Sequence, residues 1–188
     1  MHLPGWLLAA PWIVFEGWWI ARTRGNARAA SREPIARRVA YLSLLLTAVM
    51  MDVGRPRLGP LDRGLWPTPL VVETAGFALT LLGLGFAIWA REHLGRYWSG
   101  RITIKEDHRL IRTGPYRVVR HPIYTGALFA VVGVAVTRGD VRGVVAVPLV
   151  LAALLWKVAA EERILAAHFG DEHARYRREV RALVPFIL

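Results

Sequence analysis

Two short stretches of this 188-residue chain have the residue types and spacing for chemistry. They are Arg120-His121-Pro122-Ile123-Tyr124 and the pair Glu161-Glu162. The sequence between them is largely apolar and is interrupted at Thr137-Arg138-Gly139-Asp140. That pattern predicts a hairpin of two helices with a basic cluster and two carboxylates at one end. Charged groups at a membrane boundary are costly unless they engage something. Proline disfavours helix at the residue before it and is well placed at a first helical position. Arg120 and His121 therefore sit at the N-terminal mouth of the first helix. Free N–H groups and the helix dipole there suit an anionic group such as a carboxylate. A carboxylate at the exit of the second helix can accept hydrogen bonds from a ribose diol or pair with a cation. Adjacent helix residues point about 100° apart, so one of Glu161 and Glu162 is expected to face the site. Tyr116, Tyr124, Trp98 and Phe169 offer stacking faces for an adenine. The plainer alternatives are a snorkelling Arg120, a helix-capping His121, and glutamates in salt bridges with Arg163 or Lys157.

The elements that must position these residues are apolar. The chain is 54% hydrophobic with eight Trp, and it contains five apolar runs: Leu3–Ala21, Val39–Val53, Pro69–Ala90, Ile123–Thr137 and Val144–Ala160. Only the third reaches the roughly 20 residues of a comfortable span. The second and fourth are short. Little chain remains for a soluble core, so the reading is one all-α, polytopic integral membrane domain over 1–188. Residues 1–90 supply three spans. Residues 91–188 supply a loop, a helical hairpin and a C-terminal segment.

The net charge is +11, with two Lys among 25 basic residues. Such a balance can indicate nucleic acid, but here the positions explain it better. With an outside N-terminus and five crossings, loops 22–38 and 91–120 and the tail from Lys157 hold 20 basic residues, against 5 in loops 54–66 and 138–142. The positive-inside rule then expects a cytoplasmic C-terminus and site, with the arginines attracting anionic lipid. No nucleic-acid partner is expected. The absence of Cys excludes disulfides and thiol chemistry, and the histidines form no metal-ligand spacing. No basic leader precedes the first apolar run, so a cleaved signal peptide is not expected.

Smaller features refine the elements. Pro56, Gly59, Pro60, Gly64 and Pro67 predict a structured turn without helix. Gly76, Gly83 and Gly85 predict close helix approach. Glu16 and Glu73 inside apolar runs predict interhelical hydrogen bonds or a ligand role. Glu161–His168 reads as helix after the last span, with Gly170 as its stop and Asp171 capping a second short helix. Leu165, Phe169, Tyr176 and Val180 recur at helical spacing, for a tail on the membrane face or packed into the core.

From about Arg91 to Ile187 the sequence resembles the isoprenylcysteine carboxyl methyltransferase family. The resemblance is carried by His108-Arg-Leu110-Ile111-Arg-Thr-Gly114-Pro-Tyr116, by Arg120-His121-Pro122-Ile123-Tyr124, by Glu161-Glu162, by His168-Phe169-Gly170-Asp171-Glu172 with Tyr176, and by Pro185-Phe186-Ile187. It implies a membrane enzyme of about five transmembrane helices, in a bacterial inner membrane, that uses S-adenosylmethionine. The cofactor pocket would be cytoplasmic and closed by the C-terminal segment. His108, Leu110, Ile111, Gly114, Tyr116, Arg120, His121, Pro122, Tyr124, Glu161 and Glu162 would hold the cofactor. Arg91, matching an arginine implicated in holding the acceptor, and Glu161 would serve catalysis. No metal is implied. The acceptor would be a lipophilic small molecule or prenylated protein, methylated on a carboxylate. The rival readings are a phospholipid N-methyltransferase and a non-catalytic scaffold that binds anionic lipid.

Overall fold

The computed structural model describes residues 3–23, 59–97 and 110–184. Five α-helices lie among them: α1 (Gly5–Thr23), α2 (Leu70–Leu94), α3 (Pro122–Arg138), α4 (Val141–Phe169) and α5 (Asp171–Glu179). The expected span Val39–Val53 lies outside the described residues. The 25-residue α2 and the 29-residue α4 are long and apolar enough to cross a membrane, with mean hydropathies of 1.8 and 2.1, and α3 is a shorter apolar helix.

The hairpin of α3 and α4 is closed by two residues. Gly139 takes φ +63° and its N–H donates to Ala135 O. A Cβ at Gly139 would sit 2.5 Å from the Thr68 side chain, so space and backbone angle both demand glycine. Asp140 then caps α4 by accepting from Gly143 N. The preceding loop docks on this turn, with Leu65 N donating to Gly139 O at 2.7 Å and Val141 N to Arg63 O at 3.1 Å. Arg142 pairs with Asp62 at 2.9 Å. The predicted helix-free loop contains one 3-10 turn, Gly59–Asp62.

α2 and α3 meet backbone to backbone. A Cβ on Gly83 would lie 2.6 Å from Gly126 O, and one on Gly133 2.5 Å from Gly76 O. Thr80 adds a hydrogen bond to Ala130 O at 3.2 Å. Gly85, expected to join this contact, faces open space, because it lies two residues from Gly83 and so on another side of the helix. Gly83→Val is expected to destabilise the protein by about 1–3 kcal/mol or more, and Gly85→Ala to leave it unchanged or more stable. Thermal unfolding in detergent distinguishes the two.

Glu73 receives Leu3 N at 2.6 Å at one end of α2. Arg22 pairs with Glu92 at 3.1 Å at the other end, so α1 and α2 run parallel. Glu73 thus ties α2 to the residues that precede α1, where a bond between two helices was expected. Between α1, α2, α3 and α4 the core holds Trp12, Leu84, Leu128, Val131, Val134, Val150 and Leu154. α4 runs unbroken past the expected boundary at Ala160 to Phe169, since no Gly or Pro interrupts Lys157–Phe169. It stops at Gly170 with φ +49°. The N-cap of α5 is Gly170, and Asp171, expected as the cap, is its first helical residue.

Candidate functional site

The end of the bundle opposite the Gly139 turn collects the motif residues. Pro122 opens α3 and leaves His121 as the residue before it, with no side-chain capping bond. The imidazole is therefore free to reach α4. Its Nε2 lies 2.8 Å from Glu162 Oε1, and its Nδ1 3.4 Å from Glu161 Oε2. The expectation that only one glutamate would face the site is corrected. The ring stands between the two carboxylates and offers a nitrogen to each, so the 100° offset along α4 separates their approaches without turning either away. Tyr124 stacks on His121 with centroids 5.8 Å apart, and its hydroxyl donates to Glu161.

Glu162 is the hub. Arg120 Nε approaches Oε1 at 2.9 Å and Arg177 Nε approaches Oε2 at 3.1 Å. Burial alone would drive the His121 pKa down, but the hydrogen bonds and charges of Glu161 and Glu162 outweigh it and raise it above the ordinary 6.5.

The C-terminal segment closes this mouth. Arg120 N donates to Arg181 O at 2.8 Å and His121 N to Ala182 O at 2.9 Å. Thr125 Oγ1 donates to Leu183 O at 2.6 Å, and Arg120 Nη1 donates to Val180 O. The backbone donors of Arg120 and His121, expected to meet an anion, are occupied by this clamp. Neither snorkelling of Arg120 nor capping by His121 describes these contacts.

Leu110 and Ile111 are half-buried and lead into a 3-10 turn, Gly114–Arg117. Gly114 has φ +58° and carries the His93 ring where a Cβ would be, 2.7 Å from Cε1. His93 Nε2 lies 2.9 Å from Thr113 Oγ1. Tyr116 is buried, donates to Ala90 O at 3.4 Å, and its carbonyl accepts from the Tyr176 hydroxyl. Burial, followed by the nearby Glu161 charge, pushes the Tyr116 phenol well above its usual range. Arg91 is buried, and its guanidinium donates to Gly95 O and Arg22 O at 3.3 Å each. His108, Trp98, Lys105 and Pro185–Ile187 lie outside the described residues.

Lys157 was expected only as a salt-bridge partner of the glutamates, and His173 and Arg177 were not expected at the site. Lys157 Nζ stands 5.1 Å from the Tyr124 ring centroid, one helical turn from Glu161 on the side toward the apolar core. His173 and Arg177 reach Glu162 from α5, and no local pattern announces them. Tyr176, expected on the tail, packs inward. Among the described residues no group of His, Asp or Glu could hold a metal ion.

Residues 71–172 match the phospholipid methyltransferase family model. A probable protein-S-isoprenylcysteine O-methyltransferase of Oryza sativa is 28% identical over 97% of this chain and 96% of its own length. The protein-S-isoprenylcysteine O-methyltransferase of Schizosaccharomyces pombe is 30% identical over 62% of this chain and 51% of its own. A solved eukaryotic intramembrane Ras methyltransferase, an isoprenylcysteine carboxyl methyltransferase, superposes with a TM-score of 0.53 at 19% identity, covering 81% of this chain and 52% of that one. The likeness to that structure is one of fold.

Proposed function

Because the chain belongs to the phospholipid methyltransferase family, with an isoprenylcysteine O-methyltransferase aligned along nearly its whole length, we propose that it is a membrane methyltransferase that esterifies the carboxylate of a lipophilic, isoprenylcysteine-like acceptor. The observation that carries this reading is the convergence of Arg120, His121 and Tyr124 on Glu161 and Glu162 at one end of the bundle. By the distribution of basic residues this end is cytoplasmic, in a bacterial inner membrane.

The donor set fits S-adenosylmethionine. Both His173 ring nitrogens are buried without a hydrogen-bond partner among the described residues, as expected beside a polar ligand. Glu161, Glu162, His121 and Arg120 would hold its polar groups. Tyr116, Tyr124, Leu110, Ile111 and the Gly114 turn, with His108 and Pro122, would enclose the nucleoside. When bound, this cofactor supplies an electrophilic methyl group.

The protein's task is then to align the acceptor and exclude water. A carboxylate acceptor is ionised at neutral pH and needs no general base. An amine needs one, and Glu161, Glu162 and His121 already engage one another. Arg120, His121, Arg177 and Lys157 also outnumber the two glutamates, which suits an anionic acceptor over a cationic one. Arg91, fixed by two carbonyls, orients the acceptor in this reading. Lys157 meets its carboxylate from the membrane side. Trp156, 47% exposed beside Lys157, marks the lipid-facing flank of α4 past which a lipid-borne acceptor reaches the ammonium.

Radiolabelled methyl transfer into a farnesylcysteine derivative should give a base-labile product. A base-stable methylated phospholipid would instead assign the protein to amine methylation, and no transfer to any lipid would favour a scaffold. Lys157→Met, which keeps the apolar stem, is expected to raise the acceptor KM by about ten- to a hundredfold, a loss of roughly 1.4–2.8 kcal/mol. Affinity for S-adenosylhomocysteine should stay unchanged. An unchanged acceptor KM would remove Lys157 from the site.

A further inference from the structure

His173 belongs to none of the motifs described above, yet it is among the most deeply buried side chains of the protein, at 1% exposure. α5 carries it against Glu162, its Nε2 lying 3.7 Å from Oε2, the oxygen that His121 does not engage. Neither of its ring nitrogens has a hydrogen-bond partner among the described residues. The charged groups that face it are Glu162 from α4, Arg120 and His121 from the segment before α3, and Arg177 four residues along α5. One carboxylate thus stands between two imidazoles and two guanidiniums.

We propose that His173 is a positioning residue for Glu162: a neutral imidazole that α5 seats behind the carboxylate, so that closing the C-terminal clamp over the site requires an uncharged ring at this position. The proposal rests on the methyltransferase reading insofar as Glu162 holds the cofactor. A protonated ring would place a fourth cation around one buried carboxylate that Arg120, His121 and Arg177 already neutralise. Relief comes by withdrawing α5, which also carries Arg177 away from Glu162 and Tyr176 away from the Tyr116 carbonyl.

The two histidines are shifted in opposite directions. Burial lowers the His173 pKa from 6.5, Glu162 opposes it, and Arg120, Arg177 and His121 add to the lowering. Undocked, His173 regains its ordinary value and binds a proton more readily, so docking is lost as pH falls below 6.5. His121 is raised instead. Its contribution is fully present below 6.5 and is lost as pH rises through its higher folded value. The clamp is tightest near pH 6.5, with the acid limb belonging to His173 and the alkaline limb to His121.

Calorimetry of S-adenosylhomocysteine binding to the full chain in detergent, from pH 5.5 to 9, tests this, with thermal unfolding of the ligand-free protein over the same range. Wild type is expected to lose up to about tenfold in affinity for each pH unit below 6.5 and to show a parallel fall in Tm. His173→Phe and His173→Gln are expected to abolish the acid limb in both readouts and to keep the alkaline one. If the Phe variant does not fold, the Gln variant, polar but unable to take up a proton, decides. A folded variant that retains the acid limb overturns the role of His173. A wild type that shows the acid limb in Tm but binds no S-adenosylhomocysteine at any pH supports the positioning of Glu162 and overturns the cofactor reading alone. A wild type without an acid limb in Tm overturns the positioning role.

Discussion

Glu162→Ala is expected to weaken S-adenosylhomocysteine binding by two to three orders of magnitude. Glu162 is buried and pairs at 2.8–3.1 Å with His121, Arg120 and Arg177. Removing it leaves those cations facing one another with no counter-charge on their side of the site. Breaking a buried ion pair by deleting one partner costs about 3–5 kcal/mol; Arg177 is exposed, so the buried pairs with Arg120 and His121 carry the effect and place it toward the lower end, about two to three orders of magnitude. Glu162→Gln keeps an acceptor oxygen and loses the charge, so a smaller loss is expected. Arg163, one residue along, is exposed and its Nε donates to Ala159 O within α4. Arg163→Ala is expected to bind normally and serves as the control. Calorimetry on protein shown to be helical by circular dichroism measures all three. Wild-type affinity in a folded Ala variant would refute the assignment of Glu162 as hub.

Truncation after Val180 should have the second largest effect. It removes the carbonyls that accept from Arg120 N, His121 N and Thr125 Oγ1, together with Leu183, which is fully buried. Three hydrogen bonds at about 1 kcal/mol each and one leucine side chain at about 2 kcal/mol set an expected destabilisation of about 5 kcal/mol. Cofactor binding should fall with it, because Arg120 and His121 lose the backbone anchors that aim them at Glu162. Leu183→Ala isolates the packing part, at about 2–4 kcal/mol. A truncated protein with wild-type Tm and affinity would show that the clamp closes nothing.

Local signals made much of the fold legible. Pro122 announces the start of α3, Gly139-Asp140 the tight turn, and Gly170 the end of α4, because each acts through its own backbone and its immediate neighbours. The pairing of Arg120–Tyr124 with Glu161-Glu162 was legible for the same reason: a short turn between two apolar helices brings their outer ends together. Which side of α2 meets α3 was not. Gly76, Gly83 and Gly85 look alike in sequence, and only the rotation of α2 against α3 buries the first two and exposes the third. Lys157 was visible as a charge in an apolar run, but its place over Tyr124 follows from how α3 and α4 pack.

The sequence by itself determined the described apolar helices and the hairpin that makes a site of two distant motifs. These rest on local backbone preference and on the cost of charge in an apolar medium. Only the tertiary structure decided that both glutamates serve His121, that the C-terminal segment fills the backbone donors at the mouth of α3, and that His173 backs Glu162. Those contacts join residues 40 to 61 positions apart, or depend on where α5 docks. Their energies come from desolvation and charge pairing, which exist only once the chain has closed around them.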